Sequence, residues 1–147
     1  MKLISHRGNT NGINSDEENN PSKIAQVSSK FKVEVDLWSI NNELHLGHDS
    51  PDHKIDLDFL ERYDLLVHCK NLPAIELLSR SKKIEFFYQE DEKIIITSKN
   101  NYLYHASSSL KKNNINNSIH VYLGGDANLQ YLDSSNYLVT DYPLGYQ

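Results

Sequence analysis

The sequence is short of cysteine, of basic charge and of long apolar runs, and each shortage removes a class of protein. A single cysteine, Cys69, among 147 residues leaves no disulfide framework and no four-cysteine zinc site. It fits a reducing setting. Lys and Arg number 15 against 20 Asp and Glu, a formal net charge of −5. A general nucleic-acid binder presents a basic face, so none is expected here, although a local basic pocket stays compatible with that total. No apolar run approaches the roughly 20 residues of a membrane helix. The opening MKLISHRG is too short and too polar for a signal peptide. A cytoplasmic protein with no membrane span is therefore expected. Nothing in the sequence sets an oligomeric state.

What is present suits one domain over 1–147, with 38% hydrophobic and 10% aromatic residues for a lean core. The segments Asn9–Asn20 and Asn113–Ser118 are polar and read as loops. Runs rich in β-branched and aromatic residues predict strands at Lys2–Ser5, Lys32–Trp38, Leu65–His68, Ile84–Tyr88, Ile94–Thr97, Tyr102–Tyr104, Ile119–Leu123 and Tyr137–Thr140. Helices are predicted at Pro21–Ser29 and Pro73–Ser81, each opened by a proline suited to a first turn, with a short third at Asp56–Tyr63. Strand–helix–strand alternation in the first half points to parallel pairing. The expected class is α/β: a shortened TIM-like (β/α) barrel with several outer helices reduced to loops, since a full barrel takes about 250 residues. An α+β sheet is the rival.

The stretch VEVDLW places Glu34 and Asp36 two apart, hence on one face of a strand otherwise built for burial. In an amphipathic surface strand they would simply face water. Trp38 and Leu46 frame the segment as core-like, and a hairpin at Asn41-Asn42, with His45 on its surface between Leu44 and Leu46, returns His48-Asp49. Two dry carboxylates on one face are costly unless paired or bound to a cation. The first strand ends in His6-Arg7-Gly8. Glycine there lets the backbone approach a ligand, the arginine fork matches phosphate oxygens, and histidine can exchange a proton near neutral pH.

HRG ending a first strand, E-x-D on a second and H-D soon after together resemble the glycerophosphodiester phosphodiesterase family, within the phosphatidylinositol-phospholipase-C-like TIM-barrel phosphodiesterases. The matching positions are His6-Arg7-Gly8, Glu34-x-Asp36 and His48-Asp49. Glu18-Asn19 is similar to the E-N-T stretch that follows HRG in that family, and VTDYP (Val139–Pro143) to its terminal T-D-x-P. The chain also resembles a set of small proteins, many of them viral, that share HRGN, EIDLW, LGHD, HCKN, FFHQEDD and LTSKG; here these read HRGN, EVDLW, LGHD, HCKN, FFYQEDE and ITSKN. The resemblance runs the length of the chain with a shortened middle.

It implies metal-dependent cleavage of a glycerophosphodiester-like small molecule. His6 and His48 would be the proton-transfer pair, Arg7 and Lys70 the phosphate contacts, and Glu34 and Asp36 metal ligands, with Mg²⁺ or Ca²⁺ the usual ion. One position departs from the family. Where it carries E-x-K, this chain has His68-Cys69-Lys70. A histidine ligand would favour manganese, iron or zinc, so Mn²⁺ or Zn²⁺ joins the expectation; a buried, hydrogen-bonded His68 is the competing reading.

Gln89, Glu90 and Asp91 follow an apolar strand; Glu90 or Asp91 could meet metal or substrate, though a solvated acidic turn accounts for at least two of the three. Thr97-Ser98-Lys99 ends another strand, and Lys99 could meet a phosphate or simply face solvent. His45, His53, His105 and His120 are assigned no role, and Cys69, alternating with His68 and Lys70, is expected to pack inward. The alternative function is a non-catalytic phosphate- or metal-binding module on a degenerate barrel. A phospholipid headgroup ranks last as substrate, because no apolar loop for lipid docking is evident.

Overall fold

The computed structural model describes residues 1–106, 116–124 and 136–146. These hold ten strands: β1 (Lys2–His6), β2 (Lys32–Ile40), β3 (Glu43–Leu46), β4 (His53–Ile55), β5 (Leu65–Cys69), β6 (Glu85–Tyr88), β7 (Ile94–Ile96), β8 (Leu103–His105), β9 (Ser118–Val121) and β10 (Tyr137–Thr140). They also hold three α-helices, α1 (Pro21–Val27), α2 (Leu57–Arg62) and α3 (Leu72–Ser79). Each run read as a strand falls on a strand, displaced at most by a residue or two. Of the polar segment Asn113–Ser118, residues 113–115 lie outside the described residues, and Ser118 opens β9.

Each helix starts at a side chain that accepts from its free N–H groups. Asn20 accepts from Ser22 N and Lys23 N, Asp56 from Phe59 N at 2.8 Å, and Asn71 from Ala74 N at 3.2 Å. The apolar faces dock on one side of the sheet. Ile24, Val27, Leu60, Ala74 and Leu78 form one core with Val33, Val35, Leu37, Leu65 and Val67 of β2 and β5.

The sheet has a parallel spine, β6-β5-β2-β1-β10-β9-β8. Its inward side chains Ile4, Leu66, Phe87, Tyr104, Ile119 and Val139 form a second core. Leu66 on β5 and Ile119 on β9 are separated by three strands in sheet order, so sharing a cluster requires the sheet to curl.

The expected TIM-like barrel is overturned. The described residues are mostly sheet, a curled, mixed half-barrel with three α-helices. β3 runs antiparallel to β2, β4 to β3, and β7 to β8. Connection length explains the reversals. A parallel crossover needs a dozen or more residues. Asn41 and Asn42, both at positive φ (50° and 65°), form a two-residue link from β2 to β3, and a short turn with Asn101 at φ 54° joins β7 to β8. Such links can only make hairpins. Between β6 and β7, Ser98 N donates to Phe86 O at 2.9 Å and Ser98 Oγ accepts from Phe86 N at 3.0 Å.

Candidate functional site

Register brings the singled-out residues together. His6 on β1 sits opposite Glu34 on β2, and Asp36 sits opposite His68 on β5. Period-two alternation puts Glu34 and Asp36 on the concave side with His68 and Lys70. Glu34, Asp36 and His68 each offer a ligand atom, all within 4.8 Å of one another.

The two carboxylates live differently. Asp36 has Arg7 Nε 3.0 Å from Oδ2, Lys70 Nζ 3.6 Å from Oδ1 and His68 Nδ1 3.1 Å from Oδ1. Asn19 clasps it as well, donating from Nδ2 to Oδ2 at 2.9 Å while accepting from Asp36 N at 2.9 Å. Burial alone would raise the Asp36 pKa, but His68, Arg7 and Asn19 outweigh it and hold the carboxyl well below the usual range. Glu34 is pushed the other way, first by burial and then by the charge of Asp36. Its Oε2 is buried with no hydrogen-bond partner among the described residues.

His6 Nδ1 donates to Asp141 Oδ1 at 2.7 Å, which leaves Nε2 directed toward Glu34 Oε2, 3.9 Å away. Burial opposes the charged ring, yet the Asp141 hydrogen bond and the Glu34 charge raise the His6 pKa above its ordinary value. Asn9 Nδ2 donates at 2.8 Å both to Asp141 Oδ1 and to Glu18 Oε1, and Glu18 Oε2 accepts from Arg7 Nη1 at 3.1 Å. One chain of contacts thus joins the histidine to the arginine. Arg7 reaches Asp36 from a left-handed backbone, φ 54°, and Gly8 follows at φ 88°. Such a conformation in a non-glycine residue persists only where its surroundings impose it.

Other expected residues stand apart. His48 is half-exposed, and its Nδ1 contacts Asp49 Oδ1 at 2.7 Å; it forms no ion pair with the cluster among the described residues. Its turn is nonetheless anchored to the site strand, because Gly47 N donates to Asp36 O at 3.1 Å and Gly47 O accepts from Trp38 Nε1 at 2.7 Å. Glu90 and Asp91 are exposed, while the Gln89 carbonyl accepts from His68 Nε2 at 3.1 Å. Lys99 donates to Lys83 O at the opposite end of the sheet, because β7 runs antiparallel to β8. Cys69 is buried and its thiol is pushed up to about 12 by burial, so it is no nucleophile.

Asn9, Asn19 and Asp141 are the members the sequence reading gave no role. The HRGN, E-N and T-D motifs were the only signals pointing at them. Exposed apolar residues were also missed: Ile13 in the loop after β1 is 69% exposed, and Leu72 at the start of α3 is 73% exposed. Comparison with family models, with curated proteins and with solved structures finds no match.

Proposed function

We propose that the protein is a metal-dependent phosphodiester hydrolase acting on a glycerophosphodiester-like small molecule. The observation that carries the reading is the buried, unpartnered Oε2 of Glu34, set between an Asp36–His68 contact and the free nitrogen of an Asp-oriented histidine. A dry anionic oxygen without a donor is expensive, and the surrounding donor set fits a divalent cation. Glu34, Asp36 and His68 would hold it. Bound there, such an ion would neutralise phosphate oxygens and stabilise their developing charge.

The remaining work falls to side chains. Arg7 and Lys70, both beside Asp36, turn toward the substrate phosphate and add positive charge as the transition state forms. His6 exchanges a proton at Nε2, with Asp141 holding the ring and stabilising its charged form. His48, carried on the Gly47 turn, is the partner in the second proton transfer. The nucleophile is water or a neighbouring substrate hydroxyl, the latter giving a cyclic phosphate first, as the resemblance implies.

The exposure of His48 favours a second reading, a module that binds phosphate or metal without turnover. Hydrolysis of glycerophosphodiesters with Mg²⁺, Ca²⁺, Mn²⁺ and Zn²⁺ in turn, with His6→Ala and His48→Ala alongside, separates the two. Metal-dependent turnover lost in both variants supports the hydrolase. Binding without turnover in the folded wild type selects the module. Among the described residues no helix is long and apolar enough to cross a membrane.

A further inference from the structure

The Glu34–Asp36–His68 cluster shows more than the capacity to hold a cation. Resting on the metal reading above, we propose that the centre selects a transition-type ion, Mn²⁺, Fe²⁺ or Zn²⁺, over Mg²⁺ and Ca²⁺, through His68 Nδ1. Three observations carry this.

The first is the tautomer. A carbonyl oxygen only accepts, so the 3.1 Å contact from His68 Nε2 to Gln89 O requires the hydrogen on Nε2. The neutral ring then presents its lone pair at Nδ1. A backbone carbonyl on the far nitrogen is a usual device for orienting a metal-binding imidazole. The second is the plane of the ring. His68 stacks on Phe87 with centroids 4.7 Å apart and 12° between planes, and Phe87 stacks on Tyr104 at 4.3 Å. Phe87 and Tyr104 belong to the inner core, so the ring rests on packed side chains. The third is what Nδ1 faces: Asp36 Oδ1 at 3.1 Å and Glu34 Oε1 at 4.0 Å. That contact needs a shared proton or a shared cation. The unpartnered Glu34 Oε2 sits on the same carboxylate and favours the cation.

A donor set of one imidazole nitrogen and two carboxylates suits later first-row ions, whereas Mg²⁺ and Ca²⁺ prefer oxygen throughout. The neutral nitrogen also leaves the centre with less negative charge than three carboxylates would supply.

The test is titration of the metal-free full-length protein with each chloride salt, without substrate. Mn²⁺ and Zn²⁺ should bind about tenfold or more tighter than Mg²⁺ or Ca²⁺, and His68→Glu should shift the preference toward Mg²⁺ and Ca²⁺. Should that variant fail to fold, the wild type suffices: spin-echo spectra of its Mn²⁺ complex should show coupling to an imidazole nitrogen. Equal or tighter Mg²⁺ binding, or bound Mn²⁺ without nitrogen coupling, overturns the selectivity and leaves the hydrolase reading standing. Failure of every ion to bind overturns both.

Discussion

At the residue scale, two carboxylates, Glu34 and Asp36, are buried side by side. Glu34 Oε2 has no hydrogen-bond donor among the described residues, and burying such an oxygen is costly. Glu34→Gln at pH 8 should therefore raise the melting temperature of chelator-treated protein, by about 1–3 kcal/mol in stability. It should also abolish the stabilisation that added Mn²⁺ confers on the wild type. Asp141→Asn removes the charged acceptor of His6 Nδ1. It should cut kcat by about 10²–10⁴ with little change in melting. Because Asp141 helps raise the His6 pKa, the His6 limb of the pH–rate profile should move to lower pH in that variant. His6, Arg7, Glu34, Asp36, His68 and Lys70 were legible because strand alternation and short motifs are local properties. The bond from Asp141 to His6 spans 135 positions, and that of Asn19 to Asp36 depends on a left-handed backbone at φ 57°. Neither can be read from neighbours in sequence.

At the element scale, turns place what strands display. Strand positions were legible from β-branched and aromatic content, and the Asn41-Asn42 hairpin foreshadowed β3; β4 was missed because HKI is short and half polar. Strand direction was legible at the Asn41-Asn42 hairpin and missed at β7, where the number of residues in the turn before β8 sets the reversal. Gly47 shows how closely the His48 turn is folded. It has φ 152°, and a Cβ there would lie 2.0 Å from Ser50 O. Gly47→Ala should displace His48 and lower kcat well beyond its effect on KM, measured by steady-state kinetics on folded protein. Asn71 caps α3 and also donates to Ser39 O at 3.0 Å while accepting from Ser39 N at 3.2 Å. Asn71→Ala should cost about 1–2 kcal/mol by urea denaturation.

At the scale of the whole molecule, the curled sheet keeps its polar chemistry at two ends with an apolar layer between them. The far end is structural. Glu85 accepts from Thr97 Oγ1 at 2.8 Å and Asn100 Nδ2 at 3.0 Å, and Lys32 Nζ lies 3.3 Å from Glu85 and 3.0 Å from Asp64. This network ties β6 to the chain after β7. Burial works against the Lys32 charge, but Asp64 and Glu85 prevail and raise its pKa above 10.5. The folded state thus holds that proton more tightly than the unfolded chain. Its stabilisation is whole below the ordinary lysine value and fades as pH rises through the folded one. Melting temperature should fall more steeply from roughly pH 10 to 12 in the wild type than in Lys32→Met. The central claim, that the other end is a metal-dependent phosphodiesterase, is met most directly by one rate. An aryl phosphodiester is offered to wild type and Glu34→Gln, each stripped with chelator and then resupplied with Mn²⁺. The account predicts turnover restored by Mn²⁺ in the wild type and none in the better-folded variant. Turnover in the stripped protein, or equal turnover in Glu34→Gln, would contradict it.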